Sequence, residues 1–134
     1  MSIIVDTTVW IDYLGDHPTP QVQWLHREMS RSRLGITDLT LCEVLQGIRQ
    51  QELYELTREM LLKYIVHNTG GAQLAISASQ NYRVLRSKGY TIRTSIDCLI
   101  ATFCIQNGFS LLHSDHDFDP FEQLLGLQVI HPEP

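Results

Sequence analysis

Ile3-Ile4-Val5-Asp6-Thr7-Thr8-Val9-Trp10-Ile11-Asp12-Tyr13-Leu14-Gly15 is the stretch that decides the fold class. Ile3-Ile4-Val5 is a short apolar, β-branched run, the signature of a strand buried on both faces. Thr7 to Leu14 reads as a short helix ended at Gly15. Asp6 stands between the two. In open α/β sheets ligands bind outside the carboxyl ends of the strands, and Asp6 is placed there. It is equally placed to cap the helix that follows.

Outward from this unit the chain repeats the alternation. Helical patterns run over Pro20 to Ser32, Asp38 to Gln50, Glu52 to Tyr64, Ala72 to Lys88, Thr94 or Ser95 to Gln106, and Asp119 to Leu125. Short strands are expected at Leu34-Gly35-Ile36, Ile65-Val66, Phe109 to Leu112 and Gln128-Val129-Ile130. Gly70-Gly71, Gly89 and Asn107-Gly108 punctuate them with short turns. Short strands alternating with helices mean βαβ units and a mostly parallel sheet. The expectation is an α/β chain: one domain over residues 1–134, an α/β/α sandwich.

Composition bounds the function. The chain has 134 residues, 43% hydrophobic and 19% charged, which is ordinary globular usage and excludes disorder. No apolar run approaches the ~18 residues of a membrane span, and the N-terminus lacks a signal peptide's basic start. Three cysteines with no CxxC pair argue against a disulfide framework or a Cys-rich zinc site; a cytoplasmic location and no membrane partner are expected. Lys+Arg total 10 against 15 Asp+Glu, a net charge of −5, so nucleic acid is not held by bulk charge. Carboxylates acting locally remain open.

Ile96 to Ile105 holds eight apolar residues in ten, the exceptions being Asp97 and Thr102. A helix apolar all round is buried, which puts Asp97 in or beside the core unless it serves only the helix dipole. A third acidic group, His113-Ser114-Asp115-His116-Asp117-Phe118-Asp119-Pro120, follows another strand end. Its Asp spacing imitates a calcium loop, but Pro120 stands where that loop needs Gly and Gly126 where it needs Glu. His113 and His116 read as hydrophilic loop residues. If the two strands are adjacent, these acids converge, repel one another and need a cation. All-oxygen ligation favours Mg²⁺ or Mn²⁺, the usual servants of phosphate chemistry.

Here the chain resembles a family: the PIN-domain ribonucleases, in particular the VapC-type toxins of toxin–antitoxin pairs. Four pieces carry the resemblance in order: Ile4 to Leu14, Thr40-Leu41-Cys42-Glu43-Val44-Leu45-Gln46-Gly47, Tyr90-Thr91-Ile92 leading to Asp97-Cys98-Leu99-Ile100-Ala101-Thr102, and Leu111 to Phe118. It implies metal ligation and catalysis by Asp6, Glu43, Asp97 and Asp115, with Asp117 as a further acid. Glu43 rests on the resemblance alone, because it points away from the Leu41/Val44/Leu45/Ile48 stripe and reads as a solvated residue. Thr7 and Ser95 would orient ligands or waters, or simply cap helices. The resemblance further implies Mg²⁺- or Mn²⁺-dependent cleavage of RNA, a homodimer, and a VapB-like antitoxin whose tail covers the site.

RNA must still meet positive charge. Arg27, Arg31 and Arg33 form one candidate group, and Arg83, Arg86, Lys88 and Arg93 another. Trp24, Met29, Leu53, Leu56 and Met60 suggest an apolar groove for a partner. A receiver-type module would need a second acid beside Asp6 and a late Lys, and a haloacid-dehalogenase-like phosphatase an Asp at position 8; Thr7, Thr8 and the absence of Lys beyond Lys88 exclude both. The surviving alternative is a catalytically inactive PIN-fold module that binds RNA or antitoxin.

Overall fold

The computed structural model describes residues 2–31 and 33–133. Five strands, β1 (Ile3–Val5), β2 (Leu34–Thr37), β3 (Ile65–His67), β4 (Ser110–Leu112) and β5 (Gln128–Val129), form one sheet in the order β3-β2-β1-β4-β5. Every neighbouring pair is parallel. The seven helices are α1 (Thr7–Leu14), α2 (Pro20–Glu28), α3 (Asp38–Gln46), α4 (Gln51–Leu61), α5 (Ala72–Ser87), α6 (Ser95–Asn107) and α7 (Asp119–Leu125). The expected α/β class and parallel sheet are what the chain forms.

β1 is the hub because it is apolar on both faces. In register it faces β4, with Ile4 beside Leu111 and Val5 beside Leu112. Strand side chains alternate, so Ile4 and Leu111 enter one core with Leu85, Ile100, Ala101 and Phe121 from α5–α7. Val5, Leu34, Ile36 and Leu112 enter the other with Val9, Trp10, Leu25, Val44 and Leu61 from α1–α4. The chain builds outward from β1 through β2 to β3, then reverses to β4 and β5. That reversal puts the switch crevice between the ends of β1 and β4.

Gly35 in β2 has a steric reason. A Cβ there would stand 2.8 Å from His67 Nε2 and 3.2 Å from Ile4 Cδ1. The His67 ring packs instead against Phe103 and Phe109, at centroid distances of 5.6 and 5.2 Å.

Several boundaries differ from the periodicity. α2 stops at Glu28 rather than running to Ser32, which itself lies outside the described residues. α3 stops at Gln46, capped by Gly47, four residues before the expected end at Gln50. The apolar face expected on α4 is split: Met60 and Tyr64 pack on the α1–α4 core, whereas Leu53 and Leu56 are exposed, Leu56 by 58%. Thr57 and Leu61 are the residues that α4 buries. Of the other groove candidates, Trp24 and Met29 also pack on that core.

Candidate metal centre

The centre is built on the adjacent ends of β1 and β4. Asp6 N–H donates to Leu112 O at 2.9 Å, which ties the two strand ends together. Asp6 is the N-cap of α1, its Oδ2 accepting from Thr8 N–H at 3.1 Å and from the Thr8 hydroxyl at 2.7 Å. Thr8 Oγ1 in turn accepts from Ser114 N–H at 3.1 Å, which brings the loop after β4 against α1. Asp6 is thus a helix cap that also stands at the candidate site. Its Oδ2 caps the helix, while Oδ1 is buried with no partner and the residue is only 2% exposed.

Asp97 sits in the first turn of α6, its backbone N–H held at 3.2 Å by Thr94 Oγ1. Thr94, not Ser95, is therefore the cap, and Ser95 is exposed beside it. Asp115 caps a short 3-10 turn, His116–Phe118, by accepting from Asp117 N–H at 2.9 Å. One carboxylate oxygen from each of Asp97, Asp115 and Asp117 lies within 4.8 Å of the others. That is the only such group of acids, histidines or cysteines among the described residues.

Glu43 corrects the expectation of a solvated side chain. It is half-buried, and the Thr7 hydroxyl donates to its Oε1 at 2.7 Å. Thr7 Oγ1 also lies 3.0 Å from Thr40 Oγ1, and Thr40 is fully buried. α3 therefore has two buried faces: Val44 turns to the core, and Thr40 with Glu43 turns to the start of α1. Periodicity found only the apolar face. The available signal was Thr40 three residues before Glu43, a polar residue on the same side of the helix; Thr8, read only as the residue that excludes a phosphatase, is the one that holds Asp6.

The acids differ in how they hold protons. Burial pushes Asp6 up to about 6, opposed by the Thr8 hydrogen bonds and assisted by the Glu43 charge. Burial first, then the charges of Asp6 and Asp115, push Asp97 up to about 7. Asp117 goes the other way. Its partial desolvation would raise it, but Arg93 outweighs that through side-chain and backbone hydrogen bonds and its charge. Arg93 Nε donates to Asp117 Oδ2 at 2.8 Å and Nη2 to Asp115 Oδ1 at 3.1 Å.

Grouped by sequence with the phosphate-contact candidates, Arg93 thus turns its guanidinium onto the acids. Arg27, Arg31, Arg33, Arg83, Arg86 and Lys88 are all exposed, with the Arg86 guanidinium 5.4 Å above the Tyr82 ring. His113 is another departure from the loop reading. It is buried, stacks on Phe118 at 4.8 Å, and accepts Asp115 N–H on Nδ1 at 3.1 Å. His116 contacts Asp119 at 3.0 Å, so neither histidine joins the carboxylates.

These residues fit a divalent cation. The charges of its neighbours add to burial in raising the proton affinity of Asp97, and Asp6 Oδ1 is buried without a hydrogen-bond partner. The donors are all carboxylate oxygens, which suits Mg²⁺ or Mn²⁺ better than a thiolate- or imidazole-seeking metal.

The chain is similar to known proteins over nearly its whole length. Ribonuclease VapC11 of Mycobacterium tuberculosis is 28% identical over 130 residues, 95% of this chain and 96% of its own length. VapC ribonuclease Mb1587 of Mycobacterium bovis matches to the same extent. Among solved structures, VapBC2 from Rickettsia felis bound to a promoter DNA fragment superposes with a TM-score of 0.77 at 18% identity, covering 99% of this chain and 100% of that one. DNA-bound VapBC from Salmonella typhimurium gives 0.73 at 21%, covering 97% of each. The PIN domain family model matches residues 3–123, a span that holds the central strands together with Asp6, Glu43, Asp97, Asp115 and Asp117, and the chain belongs to the PIN domain family.

Proposed function

We propose that this chain is a divalent-metal-dependent endoribonuclease, the toxin of a toxin–antitoxin pair. The observation that carries the reading is Asp6, buried at a strand end with one oxygen unpartnered beside Asp97. The ribonuclease names of the relatives and the VapBC neighbours support the substrate class and the toxin role. Asp6, Glu43, Asp97, Asp115 and Asp117 would hold Mg²⁺ or Mn²⁺. When bound, the ion supplies charge neutralisation at the phosphodiester and a water of lowered pKa.

The protein's own part is orientation. Thr8 fixes Asp6, Thr7 fixes Glu43, and the N–H of Asp117 fixes Asp115. Ser95, exposed on the first turn of α6, stands where it would bond a water or a ribose hydroxyl. Arg27, Arg31, Arg33, Arg83, Arg86 and Lys88 are the candidate contacts to RNA phosphates. A homodimer, a VapB-like antitoxin over the acids and a cytoplasmic location complete the proposal. Among the described residues, no helix is long and apolar enough to cross a membrane.

The test is cleavage of a structured RNA by the purified chain with Mg²⁺ or Mn²⁺. Cleavage should stop with EDTA and with either Asp6→Asn or Asp97→Asn. Full activity in both variants sinks the carboxylate mechanism. RNA binding without any cutting by the wild type replaces it with the inactive binding module.

A further inference from the structure

We infer that Arg93 is a built-in second cation, so that the centre takes one divalent ion and not two; this rests on the metal-dependent reading above. The basis is which carboxylate oxygens are already saturated. A carboxylate oxygen has two lone pairs. Asp115 Oδ1 receives Arg93 Nη2 at 3.1 Å and Asp117 N–H at 2.9 Å. Asp117 Oδ2 receives Arg93 Nε at 2.8 Å and Arg93 N–H at 3.2 Å. Asp6 Oδ2 receives both Thr8 donors. Each of these three acids therefore offers a single oxygen to a metal.

Two-metal centres place their ions about 3.5–4 Å apart. An acid that bridges them either gives one oxygen to each ion or shares one oxygen between both. On the outer side, Asp115 keeps only Oδ2 and Asp117 only Oδ1 clear of the Arg93 bonds. A second ion on the outer side would meet the guanidinium across the oxygens that it already occupies, and two cations at that separation repel.

The side chain of Arg93 adds charge more than alignment. Backbone N–H groups already orient both acids, that of Asp117 on Asp115 and that of Arg93 itself on Asp117. The Arg93 side chain is 71% exposed while its two partners are each 16% exposed, so a cation caps the outer rim of the acids. Five carboxylates overbalance one divalent ion. The guanidinium takes up part of that excess where a second ion would otherwise sit.

The test is Mn²⁺ titration of the EDTA-treated, dialysed full chain, followed by electron paramagnetic resonance and calorimetry. Wild type should bind one Mn²⁺ per chain. Arg93→Ala should bind two, or tighten a second event by about tenfold. Arg93→Lys, which keeps the charge, should return the count to one. Two Mn²⁺ of comparable affinity in wild type overturn the inference, as does an Arg93→Ala count and affinity unchanged from wild type. A second event in Arg93→Ala that persists unchanged in Arg93→Lys assigns the effect to the lost guanidinium geometry and not to its charge, and also overturns it. No Mn²⁺ binding by any form removes the metal-dependent reading itself.

Discussion

Asp6 and Asp97 form the inner side of the centre, Asp115 and Asp117 the outer. All four are aspartates within one crevice, yet the inner two are pushed up to about 6 and about 7 while Asp117 is held below its ordinary range. Asp6 is almost completely buried and Asp97 half-buried, and no ion pair to either is found among the described residues. The outer pair sits at the rim under Arg93. Aspartates of one crevice thus shift in opposite directions, Asp6 and Asp97 because they are desolvated and Asp117 because Arg93 pairs with it. Under the proposed function the inner side would take an external cation, whereas the outer side is already paired with Arg93.

The largest effect should come from removing an inner charge. Asp6→Asn should lower cleavage by about 10³-fold or more, equivalent to ~4 kcal/mol of transition-state stabilisation. Asp97→Asn should do the same while raising the melting temperature of the EDTA-treated chain by a few degrees, since it relieves repulsion among the acids. A variant that loses activity and also melts lower would break the distinction between the two sides. Next is the support of Glu43: Thr7→Val should cost about tenfold in metal affinity and activity, and Thr7→Ser should recover most of it. Equal losses in both variants would assign Thr7 to packing.

The pH dependence of stability follows in size. Asp6 and Asp97 have folded pKa values above their unfolded ones, so they stabilise most below ~4 and that stability is lost as pH rises through about 6 and 7. Melting of the EDTA-treated chain should therefore fall between ~pH 5 and 8, and Mn²⁺ should flatten the fall. Asp117 has the opposite sign, contributing stability above its unfolded pKa that is lost only in acid. A melting temperature that climbs from pH 5 to 8 without metal would contradict the inner pair's desolvation. Smallest is the exposed His116–Asp119 contact, just outside the centre. His116→Ala should leave melting and cleavage unchanged within error, and any large loss would extend the site beyond the acids.

Much of this was readable one segment at a time. Ile3-Ile4-Val5, the glycine-bounded helices and the apolar run around Asp97 follow from local pattern, and the strands formed where that pattern put them. Asp6 was legible because a strand end followed by a helix start names its position. Glu43 was not, since amphipathic periodicity recognises one buried face and α3 has two. His113 looked like a loop residue, but Phe118 folds over it. Arg93 looked like its basic neighbours, although it lies 22 residues from Asp115 and 24 from Asp117 and meets both.

By itself, then, the amino-acid order determined the α/β alternation, the parallel sheet and the kind of atom available for a site: carboxylate oxygens in quantity, with no cysteine or histidine set to compete. Hydrophobic period and turn chemistry act over a few residues, so they are written locally. Only the tertiary structure decided which acids are desolvated, which are neutralised and which oxygen of each remains open. Those properties depend on Asp6 and Leu112 sharing a sheet, on Thr7 meeting Glu43 and on Arg93 reaching the 3-10 turn. They are long-range, because proton affinity and metal preference are set by the charges and burial around a group, wherever in the chain those neighbours lie.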